Sequence, residues 1–108
     1  MRITASRIEV FEQMLASDPS NSMVLFGLAK EYEKAGRHED VVEMLVRYLA
    51  AHDDEGNAYG MLAQAHAKLG RRDEARRAYE RGVEVARAHG HPSMAEDYRM
   101  TLESDYED

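Results

Sequence analysis

The chain has 108 residues, the size of one ordinary domain, and its 44% apolar and 32% charged side chains can bury a core and exclude compositional disorder. Cysteine is absent, which excludes disulfides, thiolate metal sites and cysteine nucleophiles together and fits a reducing cytoplasm. The formal net charge of −7 argues against a nucleic-acid backbone as the main partner, because phosphate recognition needs a basic face.

No apolar run approaches the ~18–20 residues that span a bilayer. Glu9 and Glu12 interrupt the N-terminal stretch where a secretory signal needs unbroken apolar residues, so no export is expected and the location is read as cytoplasmic. The charge is uneven: residues 1–56 carry −5, residues 57–91 carry +3 and residues 92–108 carry −5.

Taken in chain order, the apolar spacing predicts helices over about 5–17, 22–35, 39–52, 56–69, 73–89 and 93–104. Strand-like alternation is missing and β-branched residues are few, so the fold class is all-α with about six helices. Ser6 with Glu9, and Ser93 with Glu96, fit the S-x-x-E box in which two side chains satisfy free backbone N–H groups at a helix start. Thr4 competes with Ser6 for the first start. Ser20 or Asn21 can cap the second helix, and Asp53 or Asp54 the fourth. Pro19 and Pro92 stand at segment boundaries, and Gly36, Gly56, Gly70 and Gly90 separate the apolar-periodic stretches.

The second helix places Leu25, Leu28, Ala29 and Tyr32 on one stripe, and the fourth repeats it with Tyr59, Leu62, Ala63 and His66. Partner stripes are Val41, Met44 (or Leu45) and Tyr48 in the third helix, and Ala75, Tyr79 and Val83 in the fifth. Gly36 and Gly70 leave links too short for anything but antiparallel packing within each pair. The segment Leu28–Arg37, LAKEYEKAGR, returns 34 residues later as Leu62–Arg71, LAQAHAKLGR, with Leu, Ala, Lys, Gly and Arg fixed. The fixed letters write one helix–turn–helix unit twice, and such a unit must stack to bury both its faces.

With this 34-residue period the sequence resembles the tetratricopeptide repeat, whose pattern is W-x2-L-G-x2-Y, then A-x3-F, then P. Leu25-x2-Leu28-Ala29-x2-Tyr32 leads to Val41-x3-Leu45, and Tyr59-x2-Leu62-Ala63-x2-His66 leads to Ala75-x3-Tyr79. Phe11 stands eight residues before Pro19, as in a preceding half repeat, and Met94-Ala95-x2-Tyr98 opens a further first helix. No Trp is present, Asp53 and Arg87 stand where the pattern has Pro, and His66 replaces Tyr. The resemblance implies a right-handed superhelical stack of antiparallel helix pairs in one domain, 1–108. It would comprise a half repeat at 1–20, repeats at 22–55 and 56–89, a capping helix at 92–104 and an acidic tail at 105–108, expected to fray.

Few residues suggest chemistry. His89 and His91 flank a glycine turn without a third ligand at metal-site spacing and are expected to be solvated. His66 lies on a packing stripe. His52-Asp53-Asp54-Glu55 lacks the alternating ligands of a calcium loop, and no nucleophile elbow, phosphate loop or dinucleotide fingerprint occurs. No catalytic constellation is present, so the expectation is a protein that is not an enzyme and takes no cofactor or metal. The basic run Arg71–Arg81 reads as an outer helix laced with mixed-sign pairs, or as a contact for an acidic segment such as the chain's own tail.

A second stripe runs along the first helix of each pair: Met23, Phe26, Gly27, Lys30 and Lys34, then Asn57, Gly60, Met61, Gln64 and Lys68. In relatives such positions line an inner, concave groove that holds peptides. The resemblance therefore implies a binding scaffold in which Met23, Phe26 and Met61 anchor a protein or peptide partner. Lys30, Lys34, Asn57, Gln64 and Lys68 would orient it, with Glu33 as the nearby opposing charge. Gly27 and Gly60, each costing about 1 kcal/mol against Ala in a helix, would let a ligand or neighbouring helix approach. Phe26 and Gly60 stand where the carboxylate clamp of some relatives has donors, so capture of a C-terminal tail is not expected. The alternative is a structural unit that self-associates weakly through exposed end helices.

Overall fold

A computed structural model describes residues 6–107, which form six α-helices and, among those residues, no strand. They are α1 (Arg7–Ser17), α2 (Ser22–Lys34), α3 (His38–Ala51), α4 (Asn57–Lys68), α5 (Arg72–Ala88) and α6 (Pro92–Asp105). Two compact units result: one holds α1, α2 and α3 up to His52, the other holds α4, α5 and α6 from Asp53 onward. None of these helices is long and apolar enough to cross a membrane.

The helix starts follow local chemistry. Ser6 and Glu9 form the reciprocal box, with Glu9 N–H donating to the Ser6 hydroxyl at 3.1 Å and Ser6 N–H donating to the Glu9 carboxylate at 3.2 Å. The competing Thr4 lies outside the described residues. Asn21 caps α2 by accepting from Val24 N–H at 3.2 Å. Before α4 the Asp54 carboxylate accepts from Gly56 N–H at 2.8 Å and Ala58 N–H at 3.0 Å, although Gly56 itself occupies the cap position.

The expected box at Ser93 does not form. Pro92 is the first residue of α6 and His91 precedes it, with no side-chain cap bond. Proline arrives with a helical φ and without the N–H that a cap would satisfy, so the helix begins ahead of Ser93.

Glycine closes both repeated decapeptides. Gly36 and Gly70 have φ of +74° and +75°, a conformation that costs other residues a steric clash at Cβ. At the first turn Gly36 N–H donates to Glu33 C=O and Arg37 N–H reaches back to Tyr32 C=O at 2.9 Å, satisfying carbonyls the helix end would leave bare. Arg71 N–H does the same to His66 C=O at 2.9 Å. The fixed arginine continues the turn in the first copy, where Arg37 lies 4.4 Å over the Tyr32 ring and pairs with Asp40 at 2.8 Å.

The first unit buries mainly large aliphatics: Leu25 and Leu28 of α2, beside the small Ala29, against Val41, Met44 and Leu45 of α3, with Leu15 from α1. The second unit is built of smaller pieces. Ala58, Ala63, Ala75, Ala86 and Ala95 are buried, and tyrosine rings supply the bulk. Tyr79 lies 5.6 Å from the Tyr98 ring and 5.7 Å from the Tyr106 ring. The stripe of α4 is correspondingly less buried than that of α2: Ala63 is buried, whereas Tyr59, Leu62 and His66 are half-buried.

The end of the chain departs from expectation. Helix α6 runs to Asp105 and Tyr106 packs on Tyr79 instead of fraying. Arg72 donates to the Asp105 carbonyl at 2.7 Å and lies 5.0 Å over the Tyr106 ring, so the basic helix does meet the tail, through a carbonyl and a ring. Elsewhere α5 carries the mixed-sign pairs its sequence suggests, Arg76 with Asp73, Arg77 with Glu74 and Arg81 with Glu84.

Candidate functional site

Helix α2 presents two faces. Val24, Leu25, Leu28, Ala29 and Tyr32 are spent on packing, which turns Met23, Phe26 and Lys30 outward together. Met23 is 82% exposed, the most exposed large apolar side chain among the described residues. Phe26 is half-buried and leans on Tyr48 of α3, with ring centroids 5.3 Å apart. Tyr48 in turn stacks on His52 at 5.6 Å, and the His52 ring meets the Ser20 carbonyl at 3.0 Å. The Lys30 ammonium sits 5.5 Å from the Phe26 centroid, where a cation is attracted by the ring's negative face.

Ser22, Met23, Phe26, Gly27 and Tyr48 enclose a shallow cleft of about 330 Å³. One wall was misread from sequence: Tyr48 belongs to the stripe of α3 by spacing, yet it is half-buried and faces Phe26. An aromatic residue at the edge of an apolar stripe, rather than in its middle, was the available signal.

Lys34 is placed differently. Its ammonium pairs with Glu31 at 3.4 Å, and Glu31 also takes Arg7 of α1 at 3.3 Å. The opposing charge on this face is thus Glu31, whose side chain is 12% exposed, and not Glu33. Gly27 has its own neighbour: a Cβ there would stand 3.2 Å from the Phe11 ring of α1. Glycine at that position lets α1 close on α2.

In the second unit Asn57, Met61, Gln64 and Lys68 follow one another along α4. Asn57, Gln64 and Lys68 are exposed and Met61 is half-buried. Burial pushes the Tyr79 phenol up, and Gln64 beside it pulls it partly back. Gly60 is filled from within the unit, since a Cβ there would lie 2.6 Å from the Tyr98 hydroxyl. This face of α4 therefore offers more polar and less apolar surface than the corresponding face of α2.

The histidines of the α5–α6 turn are solvent-accessible, as expected, but each also has an acidic partner. His89 pairs with Asp53 at 3.4 Å and His91 with Glu55, because the residues ahead of α4 lie beside that turn. The His91 bond holds the Glu55 carboxyl below its usual range. These are two separate pairs, and among the described residues no three histidine or carboxylate side chains are grouped to hold a metal ion.

The sequence profile of a tetratricopeptide repeat family matches residues 34–95. The chain is 35% identical over 95 residues to the TPR repeat-containing protein PA0015 of Pseudomonas aeruginosa, covering 88% of this chain and 90% of that protein. The crystal structure of MamA is similar in fold, with a TM-score of 0.68 and 21% sequence identity. That match covers 91% of this chain and 66% of the MamA chain.

Proposed function

The chain belongs to the tetratricopeptide repeat family, and on that premise we propose that it is a non-catalytic scaffold binding a segment of another protein through the outward face of α2. The cleft at Phe26 carries this reading. An exposed methionine, a half-buried phenylalanine and a lysine over its ring stand together on a helix whose other face is fully used in packing. Flexible thioethers and rigid aromatic rings are the side chains on which adaptable protein interfaces are built. Asn57, Met61, Gln64 and Lys68 of α4 are proposed as further contacts for the same partner, with Lys34 as a contact that must first leave Glu31.

The partner segment follows from the lining. An apolar side chain fits between Met23 and Tyr48, and an acidic neighbour suits Lys30. The test is capture from lysate with the wild-type chain and with Phe26→Ala, identification of proteins lost with the variant, and titration of the recovered partner against both. If both chains recover the same proteins with the same affinity, this face does not bind.

A second reading is favoured by other residues. Val10 and Met14 of α1 are 44% and 46% exposed, and Met100 of α6 is 56% exposed, so the terminal helices carry apolar surface of their own. Self-association through them predicts a molar mass that rises with concentration in light scattering. A constant monomer mass removes it.

A further inference from the structure

Helices α1 and α3 leave open a cleft over α2 that shares no residue with the one at Phe26. It measures about 430 Å³, and its lining includes Glu12, Leu28, Tyr32, Glu43 and Met44. Its accessible apolar lining is Ala16 and Pro19 at the end of α1, and beneath them Leu28, Met44 and Tyr32 are almost closed off, at 1%, 4% and 5% exposed. Two carboxylates border it from different helices, Glu12 of α1 and Glu43 of α3.

Among the described residues neither carboxylate forms a salt bridge, although the charge of Arg37 is felt at Glu12. Glu12 accepts the Tyr32 hydroxyl at 2.6 Å, and among the described residues no basic side chain pairs with Glu43. Arg47 also borders the cleft, but its guanidinium donates to the Pro19 carbonyl at 3.0 Å and so holds the end of α1. Arg37 lies over the Tyr32 ring and pairs with Asp40, and it acts on Glu12 only through space. Residues 6–52 carry 5 basic and 8 acidic side chains, so the surrounding field also favours a cation.

We propose that this cleft receives the side chain of an arginine from a partner polypeptide. Its methylenes would lie along Ala16 and Pro19, above Leu28 and Met44, and its guanidinium would reach Glu12 and Glu43. The long apolar stem of a basic residue covers such a floor while its head stays at the rim. A planar guanidinium presents donors in several directions and is less strongly hydrated than an ammonium, which suits two carboxylates beside an aromatic ring.

The experiment is methyl NMR on the intact chain, titrated with the capped peptide Ac-Gly-Arg-Gly-amide and with its lysine and citrulline counterparts. The arginine peptide should shift the Leu28 and Met44 methyls saturably. The uncharged citrulline peptide should not, and the lysine peptide should bind at least threefold more weakly. Glu43→Gln should weaken the arginine peptide at least fivefold and Glu33→Gln, a charge change outside the cleft, should leave it unaltered. Glu43→Asp, which keeps the charge and shortens its reach, should weaken binding too and serves if Glu43→Gln fails to fold. The proposal is overturned by unsaturable or absent shifts, by equal binding of the lysine or citrulline peptide, or by equal effects of the variants at Glu43 and Glu33.

Discussion

A Cβ placed on Gly82 of α5 falls 2.9 Å from two ring carbons of Tyr98 of α6, closer than side chains approach in real proteins. The same tyrosine fills the space over Gly60 of α4 and donates its hydroxyl to the Gly56 carbonyl at 2.9 Å. One ring thus packs α6 against two helices through positions that lack side chains. Gly82→Ala in a free helix would add about 1 kcal/mol of stability. Here the added methyl must displace a ring and the Tyr59 Cβ at 3.1 Å, an overpacking cost of about 1–3 kcal/mol. The melting temperature should fall. In the background Tyr98→Leu the same change should cost less, by a coupling of about 0.5–3 kcal/mol. A raised melting temperature for Gly82→Ala alone would show that Tyr98 does not hold this position.

Leu28 and Leu62 occupy the same letter of the repeat but not the same environment. Leu28 is 1% exposed, and Leu28→Asp buries an unpaired charge at several kcal/mol against a total stability of about 5–15 kcal/mol. It should abolish the cooperative helical melt. Leu62 is half-buried beside Ala63 and Tyr79, so Leu62→Asp should lower the melting temperature and leave a folded chain. Equal loss in circular dichroism would make the two sites equivalent after all.

Tyr32 ties α2 to α1 through its bond to Glu12. Burial first, and then that carboxylate, push its phenol up from the ordinary value near 10 to about 12. The folded chain therefore holds this proton more tightly than the unfolded chain does. The resulting stability is complete below pH ~10 and is lost as pH rises through ~12. Burial pushes the Tyr79 and Tyr98 phenols up as well, so ultraviolet titration of the phenolates should show several late-ionising tyrosines, of which one, titrating near 12, is lost in Tyr32→Phe. Ionisation of Tyr32 near pH 10, the ordinary value for a tyrosine phenol, would contradict the bond.

Most of the fold was legible because helix-forming periodicity and turn chemistry are local. Leu28, Ala29, Gly36 and Arg37 announce a stripe, a close approach and a left-handed turn, and each is found in that role. What stayed hidden depends on residues far apart in sequence. Spacing along α3 could not say that Tyr48 meets Phe26, nor spacing along α5 that Gly82 meets Tyr98. The Ser93 box failed for a local reason, since Pro92 competes for the same helix start and wins. His89 and His91 are solvent-accessible as expected, but only the fold supplies Asp53 and Glu55 as their partners.

The last helix covers apolar surface that α5 cannot bury alone. Tyr98 and Leu102 pack on Tyr79, which is 7% exposed, and on Val83, which is 8% exposed. Tyr106 adds its ring to Tyr79 from beyond the helix end. Ending the chain at His91 should expose this patch and produce aggregation or dimers in light scattering, as a repeat without its polar cap does. A truncated chain that stays monomeric and melts at the wild-type temperature would show that α6 contributes no cover.

Phe26 separates binding from folding. Its ring is half-buried and its contacts are Tyr48 and Lys30, so Phe26→Ala removes one aromatic pair worth about 0.5–1.5 kcal/mol together with part of a ring's burial. The stability loss should fall below the ~3–5 kcal/mol of a fully buried phenylalanine. As the aromatic anchor of the proposed interface it should cost more in binding, about 2 kcal/mol or more, which is roughly a thirtyfold loss of affinity. Binding should also weaken with salt, because Lys30 is exposed and its field is screened over ~8 Å at 0.15 M. Both quantities are measured on the same variant: partner affinity by titration and the midpoint of thermal unfolding. A sharp fall in the midpoint with unchanged affinity would place Phe26 in the core of its unit. The interaction surface would then have to be sought on the exposed terminal helices, where Val10, Met14 and Met100 predict self-association.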